Sequence, residues 1–170
     1  YDEGNTAHMT LRSPSNIVMA AARDIHPPGY YLAVAGWSAV VGRSEFSLRA
    51  LSAFAGIVLL GVLYRLGSDN VGTRVGVASA FIGAMHGALV YYSQEARMYM
   101  LAATLGGAII LISTRMALGV ERLRSRTYCY SYIIVATAGL YTHYSFSFVL
   151  VGVNVAVLWQ LMRVDSGYAR

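Results

Sequence analysis

The sequence predicts an all-α fold, a polytopic membrane helical bundle with about five transmembrane helices and with surface helices in a polar first loop. Two observations carry this expectation: charge is scarce, and what charge there is falls in bands. Of 170 residues, 56% are hydrophobic and only 12% charged, where a soluble domain is about a quarter charged. The mean hydropathy is +0.51. Uncharged runs at 75–94, 98–114 and 127–162 are bounded by charged residues, arginines at almost every edge. A helix rises about 1.5 Å per residue, so roughly 20 residues cross a hydrocarbon core of about 30 Å.

Each element follows from these bands. Residues 1–49 form the polar first loop, but Pro28 to Gly42 (PGYYLAVAGWSAVVG) is mostly apolar and carries Tyr30, Tyr31 and Trp37. Prolines fit a first helical turn, and the aromatics after them fit a helix lying at the membrane surface. A true span is the rival for this run, and it would invert every later loop. Residues 50–170 hold the spans. The first, 50–64, lies between Arg49 and Arg65 and is short unless both arginines snorkel to the interface. Runs 75–92 and 98–114 read as one span each. The 36 residues of 127–162, apart from His143 uncharged, read as two spans, 127–141 and 146–162, folded back at Tyr141–Ser145. Small residues inside the spans, such as Gly83 and Gly87 or Ala102, Ala103, Gly106 and Gly107, allow close helix contact.

Charge sets the orientation. With these spans, one side holds Arg65, Arg74, Arg115, Arg122, Arg124, Arg126, Arg163 and Arg170 against Asp69, Glu121 and Asp165. The other holds Arg12, Arg23, Arg43, Arg49 and Arg97 against Asp2, Glu3, Asp24, Glu45 and Glu95. The excess of arginine marks the first side as cytoplasmic, which puts the first loop outside. The chain opens on Tyr1 with no basic-then-apolar leader, so a fragment lacking a preceding span is expected. The formal charge of +5 does not point to nucleic acid, because the arginines punctuate spans instead of forming one basic stripe. Cys129 is the only cysteine and offers neither a disulfide framework nor zinc-ligand spacing.

Ionisable groups at the outer ends of spans are the ones to weigh for chemistry. Asp2 and Glu3 are adjacent, so their side chains diverge and suit opposed glycosidase carboxylates poorly. A single acid near the membrane can act as general base toward an acceptor hydroxyl; two solvated loop acids are the plain reading. His26 is presented by Pro27 and Pro28, either to meet a lipid phosphate or to stabilise the turn. Glu95 and Arg97, between two apolar runs, either pair with each other or leave Arg97 to grip a phosphate or sugar with its planar fork. Tyr99 and His143 lie at the same membrane boundary, where an aromatic belt explains the tyrosines. His86, deep in the membrane about 13 Å along a regular helix from Glu95, suits an interhelical hydrogen bond better than catalysis.

Four motifs occur in order: Asp2-Glu3; Asp24-x-His26-Pro27-Pro28-x-Tyr30-Tyr31; Gly42-x-Ser44-Glu45-x-x-x-x-Arg49; and Tyr92-Ser93-Gln94-Glu95-Ala96-Arg97-Met98-Tyr99. Together they resemble the dolichyl-phosphate-mannose protein mannosyltransferase-like group of GT-C membrane glycosyltransferases, which includes the lipid A aminoarabinose transferases. The resemblance spans nearly the whole chain. It implies inverting transfer of a sugar from a polyprenyl-phosphate-linked donor to an acceptor on the outer membrane face. Under it, 1–49 is the outer catalytic loop and 50–170 the transmembrane part of the same partial catalytic domain. Asp2 is the implied base, and Glu3 orients it or supports the acceptor. His26, Arg49, Glu95, Arg97, Tyr30, Tyr99 and His143 are the implied substrate-binding set. No cofactor is certain, a divalent cation is the one candidate, and no metal ligands are assigned. The sequence departs from the family in carrying Gly29 where leucine is common. A membrane transporter or flippase is the rival class, and it would put its functional polar residues near mid-membrane, often at broken helices.

Overall fold

The computed structural model describes residues 2–24, 26–119 and 125–168, with Asp2 and residues 163–168 described by their backbone alone. The regular structure in these residues is entirely helical. Three short helices form the first segment: α1 (Asp2–Met9), α2 (Pro14–Ala21) and α3 (Gly29–Val41). Ser13 starts α2 by accepting from the Asn16 amide, with Pro14 at the first helical position, where its missing N–H costs nothing. α3 starts directly after Pro27-Pro28 and stops at Gly42, whose φ of 92° turns the chain.

α4 (Glu45–Asn70) follows, capped by the Ser44 hydroxyl on the Ser47 amide at 3.1 Å. Its 26 residues rise about 39 Å and run straight through Arg49 and Arg65. The short 50–64 window is therefore the apolar middle of a longer helix. α5 (Thr73–Met85) and α6 (Gly87–Ser93) divide what the sequence suggested was one span, with a bend of 64° between them. His86 at the break is extended, at φ −73° and ψ 114°, and Gly87 after it is a weak helix former. The regular helix assumed for His86 is thus absent. Its ring is exposed and makes no hydrogen bond to another described residue, in place of the interhelical bond expected of it.

α7 (Met98–Ala117), α8 (Arg126–Thr142) and α9 (Phe146–Tyr168) complete the order. By length and composition α4 and α7 can cross a membrane, and the bent α5–α6 pair makes a third candidate. The expectation of about five spans goes further than this. The chain does fold back at His143, but α8 has 17 residues and carries Thr127, Tyr128, Tyr130, Ser131 and Tyr132. The apolar part of α9, Phe146–Met162, is no longer. Each rises about 26 Å, short of a core of about 30 Å. The arginines and acids at positions 121, 122 and 124 lie outside the described residues, as do the side chains of 163, 165 and 170.

α4 packs on α5 and α7, and α7 packs on α8 and α9. A Cβ on Gly67 would come within 2.8 Å of the Gly76 backbone, so α4 and α5 touch where both lack side chains. Gly83 against Leu63 and Gly107 against Leu59 and Val62 behave as the sequence suggested, whereas Gly87 has open space. Thr104 of α7 donates to the Ala55 carbonyl of α4 at 2.9 Å. The larger buried cluster is elsewhere. It joins Met9, Ile17, Tyr30, Tyr31 and Val34 to Leu48, Ala96 and Met98. The first segment is thus a folded cap on the ends of α4 and α7, and the candidate site lies under it.

Candidate functional site

Glu3 fastens the cap. Its carboxylate takes two hydrogen bonds from the Arg49 guanidinium, at 3.1 Å from Nε and 2.8 Å from Nη2. The Ala96 amide donates to it as well, at 2.9 Å. One side chain of α1 therefore holds α4 and the turn leading into α7. These donors, the Arg49 fork first, hold the Glu3 carboxyl below its usual range against the opposing effect of burial. Arg49 also pairs with Glu45 one turn earlier, at 2.7 Å. Asp2 opens α1 one residue before Glu3, and its side chain lies outside the description.

Beside this clasp is a cleft of about 220 Å³ lined by Asn5, Thr6, Asp24, His26, Tyr30, Tyr31, Arg97 and Met98. Three separate parts of the chain meet here: α1, the Asp24–Tyr31 segment and the turn before α7. The two prolines do present His26 inward, where Nδ1 is 3.7 Å from Asp24. The Arg97 guanidinium lies over the Tyr99 ring, 5.0 Å from its centroid. Tyr30 is 1% exposed, and burial pushes its phenol well above the usual tyrosine range. Among the described residues the Tyr30 hydroxyl has no hydrogen-bond partner. The Ser52 hydroxyl lies near enough to lower the Tyr30 pKa slightly against this burial, but it does not reach hydrogen-bond geometry with Tyr30 Oη and donates to the Arg97 carbonyl at 3.5 Å.

His143 joins the same end of the bundle. Its ring centroid is 6.3 Å from that of His26 and 6.0 Å from that of Tyr99, and Tyr99 in turn lies 5.0 Å from Tyr92. The Ser145 amide donates to Nδ1 at 3.2 Å, so Nδ1 is an acceptor and the Ser145 hydroxyl, at 2.7 Å, donates to it as well. The ring is then neutral with its proton on Nε2. Burial, and secondarily His26, keep its pKa below the ordinary value. The first loop closes onto this turn at Gly29, where any Cβ would overlap the Tyr141 carbonyl. Leucine has no room here, which gives the departure at Gly29 a physical reason.

The structure thus brings His26, Tyr30 and Arg97 to one cleft, sets Tyr99 and His143 beside it, and ties Glu3 to Arg49. No protein-family model, curated protein or solved structure matches the chain. The family resemblance is therefore carried by the four ordered motifs, and the chemistry by the cleft itself. Glu95, in the turn before α7, is within electrostatic reach of Arg49 but does not line the cleft. Asn5 and Thr6 were missed. They lie three and four residues after Asp2, one helical turn along the same face, which is the signal that would have found them. Among the described residues no three His, Cys, Asp or Glu side chains converge on a metal-sized site.

Proposed function

We propose that this chain is part of a GT-C membrane glycosyltransferase, similar to the dolichyl-phosphate-mannose protein mannosyltransferases, that moves a sugar from a polyprenyl-phosphate donor to an acceptor hydroxyl on the outer membrane face. The observation that carries this reading is the joining of His26 and Arg97 across one small cleft, at the end of the bundle where α1 begins with Asp2. Asp2 is the base that removes the acceptor hydroxyl's proton. The hydroxyl oxygen attacks the anomeric carbon as the bond to the phosphate oxygen breaks, and this single displacement inverts the centre. Arg97 and His26 hold the charge that collects on the leaving phosphate. Glu3 is a positioning residue, since both its oxygens are already engaged and it fixes α1 through Arg49. Tyr99 backs the Arg97 guanidinium, and His143 backs His26.

The transporter or flippase reading is favoured by one specific observation, the break at His86 with a bend of 64°. Transfer assays separate the two. In membranes containing the full-length protein and a radiolabelled polyprenyl-phosphate sugar, Asp2→Asn is expected to lower transfer by roughly 10²- to 10⁴-fold, the usual contribution of a general base, while His86→Ala leaves it intact. Undiminished transfer by Asp2→Asn at equal expression would sink the base assignment. Loss of substrate flux with His86→Ala, without any transfer in wild type, would favour the rival.

A further inference from the structure

The cleft has two chemically different sides. His26, Arg97 and Asp24 supply charge, while Asn5, Thr6, Tyr30 and Tyr31 supply neutral hydrogen-bonding groups. Tyr30 differs from the other three. It is almost wholly buried, it lines the cleft, and its hydroxyl has no hydrogen-bond partner among the described residues. The neighbouring polar groups hold hydrogen bonds to other partners. Tyr31 Oη accepts from Asn5 at 3.5 Å, Ser52 donates to the Arg97 carbonyl, and Glu3 is taken up by Arg49 and Ala96. Burying a hydroxyl without a partner is unfavourable, and such groups in native folds call for an explanation. The other buried hydroxyl of this kind, Ser113, lines a mostly apolar recess between α7 and α9. Tyr30 instead borders a cleft that carries His26, Arg97 and Asp24. Its burial also keeps the phenol protonated, so it can donate throughout the physiological range.

We propose that Tyr30 Oη is a ligand contact, donating a hydrogen bond to an uncharged oxygen of a molecule whose anionic group lies against His26 and Arg97. This rests on the proposed function, under which the anion is the donor phosphate and the uncharged oxygen belongs to the sugar. Tyr30 then reads the sugar, and the arginine and histidine read the phosphate. A specificity contact of this kind rejects a ligand that lacks the matching oxygen, because the donor is again left unpaired.

The test uses the full-length protein in lipid nanodiscs and two probes, a short-chain polyprenyl phosphate and the same lipid phosphate carrying a hexose. Tyr30→Phe is expected to weaken the hexosyl probe by roughly 3- to 10-fold, the worth of one neutral hydrogen bond. It should leave the sugar-free probe unchanged. The melting temperature of the unliganded variant should stay level or rise, since an unpaired donor is removed without loss of shape. Wild-type binding of both probes with no discrimination by Tyr30→Phe would overturn the contact alone, and a lowered melting temperature in that case would make Tyr30 a packing residue. Failure of both probes to bind wild type would overturn the lipid-phosphate-sugar reading and this contact with it.

Discussion

α4 and α7 run parallel, their first turns meeting under the cap and their last turns at Asp69 and Arg115. They are tied near both ends by an arginine and a carboxylate, but the two ties differ in what they join. At the end away from the cap, Arg115 of α7 donates to a single oxygen of Asp69 of α4, from Nε at 2.8 Å and also from Nη2. That tie joins two helices and is complete in itself. At the cap end the carboxylate comes from a third element, α1, and takes the Arg49 fork together with a backbone amide 93 residues away in sequence. Each end has a recess. The one beside Asp69 is lined by Asn70, Thr114, Arg115 and Tyr128, and its charges face each other. The one beside Glu3 is lined by Arg97 and by His26, which faces Asp24 at 3.7 Å, and these come from different parts of the chain. A charged pair by itself therefore marks a fastening, and the functional reading belongs where cationic groups from separate elements border one cavity.

Glycine substitutions test this contrast with the largest expected effect. Gly29→Leu forces a side chain into the Tyr141 carbonyl, and Gly67→Leu forces one into Gly76. Both overpack a tight contact, at about 1–3 kcal/mol each, read as lowered melting temperatures in detergent. Only Gly29→Leu should also abolish binding of the polyprenyl-phosphate probe, because only it lifts the cap. Equal loss of binding by Gly67→Leu would erase the difference between the two ends.

A smaller effect is expected from cutting each tie. Glu3→Gln weakens the hold on Arg49 and should lower transfer several-fold along with the melting temperature, while Asp69→Asn should lower the melting temperature alone. Transfer that falls equally in both variants would mean that Glu3 acts only through general stability.

The smallest effect concerns pH. The folded His143 pKa lies below its ordinary 6.5, so the unfolded chain takes up the proton first as pH falls. The stability tied to His143 is then complete above about pH 6.5 and declines from there toward the lowered value. Melting curves between pH 7.5 and pH 5 should fall more steeply for wild type than for His143→Gln. Parallel curves would remove His143 from the cap end.

The all-helical fold was legible because bands of charge and apolar runs report helices directly. The turn at His143 and the start of α3 after Pro27-Pro28 were legible for the same local reasons. The break at His86 was not, since hydropathy counts residues and is blind to a backbone that turns extended within an apolar run. The length of α4 was hidden for the opposite reason, because Arg49 and Arg65 looked like ends and are interior. At the site, His26, Tyr30 and Arg97 were identifiable as chemistry-bearing residues. Their common cleft was not, and neither was the Glu3–Arg49 tie, because both depend on contacts between segments far apart in sequence. Asn5 and Thr6 carry no charge, and only their position one turn after Asp2 singles them out.

The contact between Gly29 and Tyr141 bears on the order of assembly. Residues 3–34 are synthesised well before Ala96, Met98 and Tyr141, the groups that cover them. Closing such long loops carries an entropic cost, and long-range pairings of this kind form late. Ile17, Tyr30, Tyr31 and Val34 must therefore wait without their partners until the turn before α7 and the end of α8 are in place. The cap is made before the helices it rests on and is seated after them, so the cleft comes into being only when the bundle beneath it is complete.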